Sequence, residues 1–163
     1  MRPRIILCGA AVILAAVCAT QTAAHAYGLS GGGAKVGYTS PEDLNTTAMV
    51  GGHLEFEQDG TRLHLQPNFM YWKSEGRSDL NPNMDVYYHF GSQRRVAPYL
   101  GGGVGVNVRH NDVVDRTDTH LGANAIGGLR FPSRSNSYFL ESRVMASDVP
   151  QFAVMGGVTF GSR

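Results

Sequence analysis

The chain has 163 residues, with 14 Lys and Arg against 13 Asp and Glu, a formal charge of +1 with His neutral. No cationic patch stands out, which excludes a nucleic-acid surface built on clustered Lys and Arg, and the length bounds the chain to one domain. Both cysteines, Cys8 and Cys18, fall among the first 20 residues, so the remainder has no disulfide to rely on.

The first segment reads as an address. Arg2 and Arg4 form a basic start, residues 5–17 are uncharged and mostly apolar, and Ala24-His25-Ala26 is a small-x-small cleavage site. This is the pattern of a secretory signal peptide over residues 1–26. The apolar core is too short to span a bilayer as a helix. Val17 before Cys18 argues against a lipidated cysteine. Residues 27–163 are then a single domain, with 12 basic against 13 acidic side chains once Arg2 and Arg4 are removed.

That domain alternates apolar and polar every second residue, which in a strand sorts side chains onto two faces. Eight strands are expected, over 31–38, 47–58, 62–74, 81–90, 96–109, 118–131, 137–145 and 151–160. Between them lie turn-forming runs such as Ser40-Pro41-Glu42-Asp43, Asp59-Gly60 and Pro132-Ser133-Arg134. No window carries a sustained helical period. One face collects Val50, Leu54, Phe69, Val86, Leu100, Val104, Leu121, Leu140, Val144 and Val154. The other collects Lys35, Glu55, Arg62, Asp85, Arg130, Glu141 and Arg143, together with His53, His64 and His89 and the amides Gln66, Asn68, Asn83, Asn107 and Asn124.

A soluble barrel buries the apolar face; a membrane barrel turns it to lipid and faces the polar set into its lumen. Three features favour the membrane. The strands are evenly spaced and long enough to cross at a tilt. Connections after the second, fourth and sixth strands read as tight, and those after the first, third and fifth as generally longer. Phe56, Phe90, Phe131, Tyr138 and Phe160 would form an aromatic girdle at one rim, with Tyr38, Tyr71 and Phe152 at the other.

On the leader, the eight alternating strands and the final strand Gln151-Phe152-Ala153-Val154-Met155-Gly156-Gly157-Val158-Thr159-Phe160, the chain resembles the small outer-membrane β-barrel family of OmpX-like and OmpA-transmembrane-like proteins. The resemblance implies an eight-stranded antiparallel up-and-down barrel. It also implies that the insertion machinery reads the aromatic Phe160, although Gly161-Ser162-Arg163 extends past it. The expected location is the outer membrane of a Gram-negative cell, reached by signal-directed export. Expected contacts are outer-membrane lipid and lipopolysaccharide, and the barrel is expected to be a monomer without cofactor.

The candidate site is the lumen. Eight strands leave room only for side chains, so charges there must be paired. Lys35, Glu55, Arg62, Asp85, Arg130, Glu141 and Arg143 are expected to form an ion-pair plug, flanked by His53, His64 and His89. The expected role is structural or surface-interacting. A narrow gated ion pore, porin-like, is the alternative, in which the same pairs exchange partners.

Other signals are weaker. Gly101-Gly102-Gly103-Val104-Gly105 has neither the spacing nor the helix of a nucleotide loop and reads as small residues making room for Tyr87, Tyr99 and the arginines. His110, Asp112, Asp115, Asp118 and His120 crowd one connection without matching a defined metal loop, so no metal site is expected there. A lipid A-modifying acyl hydrolase or transferase would need a base and nucleophile at the outer rim, near which Ser74, Ser78, His110 and His120 are expected. No nucleophile elbow accompanies them, so no catalytic residues are assigned. Asn45-Thr46-Thr47 reads as a polar loop rather than a glycosylation acceptor. If the chain were not inserted in a membrane, the same pattern would describe a soluble periplasmic lipid-binding barrel.

Overall fold

In a computed structural model, described for residues 27–42, 44–58, 60–90, 96–112 and 114–161, the alternating segments close into a barrel. The expected leader and its cysteines lie outside the described residues. The strands are β1 (Gly28–Pro41), β2 (Thr47–Glu57), β3 (Leu63–Ser74), β4 (Arg77–His89), β5 (Ala97–Asn111), β6 (Arg116–Ser133), β7 (Asn136–Ser147) and β8 (Gln151–Phe160). Each pairs antiparallel with its neighbours in sequence, and β8 returns to β1, with Gly32 opposite Phe160 and Pro41 opposite Gln151. Closure leaves no strand edge exposed.

The sidedness is inside-out relative to a soluble protein. Val36, Val104 and Leu121 are 62, 64 and 77% exposed, whereas Lys35, Asp85, Glu141 and Arg143 are at most 3% exposed. Apolar side chains in this number facing outward, around a filled polar interior, are what lipid requires and water penalises. A soluble barrel with an apolar cavity is therefore ruled out by the direction in which the side chains point.

Two strands test the register. In β1 a bulge between Leu29 and Gly31 switches parity. Leu29 faces outward before it, and Ala34, Val36 and Tyr38 face outward after it. In β7 the polar Ser142 falls on the outward face, where its hydroxyl donates to the Gly127 carbonyl at 3.3 Å. A hydroxyl facing lipid is thereby satisfied by the neighbouring strand.

The connections depart from expectation. The turn after β3, expected among the longer connections, is only Glu75-Gly76. Among the described residues the expected alternation of short and long connections is not seen, because β4, β5 and β6 begin or end well inside segments that read as loops. The hairpin of β5 and β6 continues in register to Asn111 opposite Arg116, through polar residues whose composition hides their pairing.

Candidate functional site: the barrel lumen

The lumen is filled in three layers. They are described from the end that holds Gly28 and Phe160, the terminal end, toward the opposite, loop end.

At the terminal end Glu55 is the hub. Its Oε1 accepts from His64 Nδ1 at 2.6 Å and from Arg130 Nη1 at 2.5 Å. Arg130 Nε also donates to Ser137 Oγ at 3.0 Å. The His64 and His89 rings lie 4.2 Å apart between centroids, and His89 in turn lies 5.2 Å from Tyr99. His53 contacts Thr159 Oγ1 at 2.9 Å through Nε2 and meets Phe139 edge-on. A cavity of about 20 Å³, room for about one water, lies among Glu55, His64, His89, Tyr99, Arg130 and Glu141.

The middle layer centres on Asp85 and Arg143. Arg143 Nη2 reaches Asp85 Oδ2 at 2.7 Å and Glu141 Oε1 at 3.1 Å. Asp85 also accepts from Asn68 at 2.7 Å and from Asn124 at 3.0 Å. Lys35 Nζ donates to Asn68 Oδ1 at 2.8 Å, so the amide relays between the Lys35 and Asp85 charges. Tyr99 donates to Glu141 Oε2 at 2.9 Å, and Arg143 donates to the Tyr87 hydroxyl at 3.1 Å. Two cations and two anions thus hold one another in a space with little access for solvent, the condition under which buried charge is tolerated.

Glycines make this layer possible. A Cβ on Gly103 would lie 2.2 Å from Asp85 Oδ1, and one on Gly128 would lie 2.4 Å from the Tyr99 ring. The expectation that the glycine run leaves space for Tyr87 holds at Gly101, where a Cβ would stand 2.8 Å from that ring.

The loop-end layer was not foreseen. Met49, Met70, Trp72, Ala153 and Met155 form a buried apolar cluster inside the lumen, and Leu44 from the connection after β1 packs against it. Arg109 lies over the Trp72 ring at 5.6 Å and bonds Asp79 Oδ2 through Nε at 3.2 Å. Asn81 donates to the other Asp79 oxygen. Thioethers and an indole fill an irregular gap without adding charge, and a guanidinium over the indole gains from the ring quadrupole.

Of the residues expected in the lumen, Lys35, Glu55, Asp85, Arg130, Glu141 and Arg143 face inward, as do His53, His64 and His89. Arg62 does not. It precedes β3 in a turn that Thr61 closes onto Gln58, and it is exposed. The strand expected from 62 starts one residue later, and that leaves the guanidinium at the rim, in solvent. Arg109 and Asp79 join the lumen at the opposite, loop end, so Lys35, Arg109, Arg130 and Arg143 stand against Glu55, Asp79, Asp85 and Glu141. Asp79 was legible: it continues the polar series Asp85, Asn83, Asn81 backward by two residues. The turn hides it, because Glu75 and Gly76 take positive φ of 50° and 72° and Glu is not a residue that announces such a turn.

Phe90, Phe131, Tyr138 and Phe160 are exposed at the terminal end, and Phe56 sits there half-buried. At the loop end Lys73 and Asp112 pair at 2.8 Å, and the ammonium's hydrogen bond holds the Asp112 carboxyl below the ordinary carboxylate range. His110 stands between the Thr117 hydroxyl, 3.0 Å from Nδ1, and Asp112, 3.4 Å from Nε2. Ser78 lies opposite His110 in the ladder.

No protein-family model and no curated protein matches the chain. Solved structures do. Neisserial surface protein A (NspA) superposes with a TM-score of 0.66 at 14% identity, over 80% of this chain and 94% of that one. The N-terminal β-barrel domain of Pseudomonas aeruginosa OprF gives 0.65 at 16% identity, over 82% and 98%. The outer membrane enzyme PagL gives 0.53 at 16%, over 78% and 97%. The chain therefore has the fold of the small eight-stranded outer-membrane barrels.

Proposed function

We propose that the protein is an outer-membrane barrel of structural or surface-interacting role whose lumen is plugged rather than conducting. The observation that carries this reading is the middle layer: Arg143 on β7 bonds Asp85 of β4 and its own strand neighbour Glu141, each at most 3% exposed. An ion moving through would have to separate charges that have no solvent to replace their partners. The outward apolar face supports insertion, and the aromatic residues at the terminal end would sit at headgroup depth. Lipid and lipopolysaccharide are its expected contacts, the barrel-insertion machinery its route, and the monomer its working state, since closure leaves no edge to share.

Planar-bilayer recording tests the plug. The purified protein should give no steady single-channel steps. Reproducible small steps that change in Glu141→Ala or Arg143→Ala would replace the plug with a gated ion pore.

A second reading rests on His110. A hydroxyl, an imidazole and a carboxylate in line at the loop-end rim have the composition of an acyl-transfer site, which would act on an acylated lipid of the outer leaflet. A mass change in lipid A on expression, lost in His110→Ala, would establish it; unchanged lipid A would remove it.

A further inference from the structure

Glu55, His64 and His89 come from three successive strands. Phe56 pairs with Leu65 and Glu57 with His64, so Glu55 lies diagonally across from His64 on the inward face. His64 pairs with Tyr87, so His89 lies diagonally across from His64 on the next strand. Diagonal inward neighbours on a twisted sheet converge. Here one donor atom from each of the three side chains lies within 4.8 Å of the others, and all three residues are buried.

His64 is the informative member. Its Nδ1 stands 2.6 Å from a carboxylate oxygen, which accepts only, so Nδ1 carries the proton. Nε2 is the ring's second nitrogen and holds a lone pair while the imidazole is neutral. That atom is buried without a hydrogen-bond partner, on a side chain that is 5% exposed. Glu55 lies on the Nδ1 side of the ring, so an ion shared by the two residues meets Nδ1, and the ring proton moves to Nε2. The carboxylate keeps capacity of its own: the contacts from His64 and Arg130 both fall on Oε1, and neither uses Oε2.

We propose that Glu55, His64 and His89 bind one divalent transition-metal ion of the zinc class. Two imidazoles and a carboxylate are the donors such an ion prefers over magnesium or calcium. An ion centred in the widest triangle allowed by these donors would be about 2.8 Å from each, against about 2.0–2.2 Å in a formed site. Small side-chain rotations close that difference. The adjoining cavity of about 20 Å³ accommodates a water as fourth ligand. Arg130 competes for Glu55, but Glu141 lines the same cavity and adds a second anion. Glu141 is itself bonded by Arg143 at 3.1 Å, so the two carboxylates and two arginines balance before the ion enters. The metal would tie β2, β3 and β4 together at the terminal end of the lumen.

The test uses untagged protein purified from envelopes in detergent and freed of metal with a chelator. Zn²⁺ is measured by equilibrium dialysis with elemental analysis, and Co²⁺ by its visible ligand-field absorption. The expected result is about one ion per chain, with the intense visible bands of a four-coordinate cobalt site. His89→Asn and Glu55→Gln should each weaken binding at least about tenfold while the unboiled protein keeps its shifted gel mobility. The double variant His110→Asn/His120→Asn should bind as the parent does. Absence of stoichiometric metal on the parent protein overturns the proposal, and that measurement requires no variant to fold. Binding that survives His89→Asn but disappears with His110 and His120 also overturns it, since the ion would then be held at the exposed rim.

Discussion

At the scale of single residues, the lumen charges are not equivalent. Asp85 accepts from Arg143, Asn68 and Asn124, whereas Glu141 accepts from Arg143 and Tyr99. Removing Asp85 takes the nearer carboxylate from Arg143, leaving it Glu141 at 3.1 Å, and takes an acceptor from two amides at once. Asp85→Ala should lower stability by about 3–5 kcal/mol, the range for breaking a buried pair from one side, and Glu141→Ala should cost less because Arg143 keeps Asp85. Urea unfolding from lipid vesicles gives both midpoints; equal midpoints would mean that the two carboxylates share the load evenly. A side chain added at Gly128 meets Tyr99 and the Leu140 carbonyl. Gly128→Val should therefore destabilise by about 1–3 kcal/mol through overpacking, and Gly128→Val/Tyr99→Ala should recover part of that loss in the same unfolding assay.

At the scale of elements, strand faces and turn geometry set the tolerances. Val104 is midway along β5 and 64% exposed on the outward face. Val104→Arg would put a guanidinium in the hydrocarbon, at about 2–4 kcal/mol near the midplane. Arg at exposed Val114, beyond the strand end, should be close to neutral. Refolding yields into vesicles at graded urea distinguish the two. The turn after β3 requires positive φ at Gly76, so Gly76→Val should cost about 1–2 kcal/mol and slow refolding. A refolding rate matching the parent's would show that this hairpin closes late. The strands themselves were legible from the period of two, and so was the inward set on β2, β4, β7 and β8. Their ends were not. Arg77, Ser78 and Asp79 at one end of β4, like His110 and Asn111 on β5, have the composition of a loop and pair only because the neighbouring strand continues beside them.

At the scale of the whole molecule, closure has a direct consequence for handling. A barrel whose last strand pairs with its first over ten register positions, from Gly32–Phe160 to Pro41–Gln151, opens only when all its ladders fail together. Unboiled protein should therefore migrate faster than boiled protein on a denaturing gel and fractionate with the outer membrane. A single unshifted band from the soluble fraction would contradict insertion. The sequence by itself determined the two-faced strands, their number and most of the inward charges, because a period of two is a local property that each strand carries alone. Tertiary structure decided which charges meet. Arg62 was lost to solvent by a one-residue shift of a strand start, and Asp79 and Arg109 were gained by pairing across β4 and β5. The apolar cluster around Trp72 and the convergence of Glu55, His64 and His89 arise from register between strands. Register is set by the ladder and by closure, and no single strand encodes it.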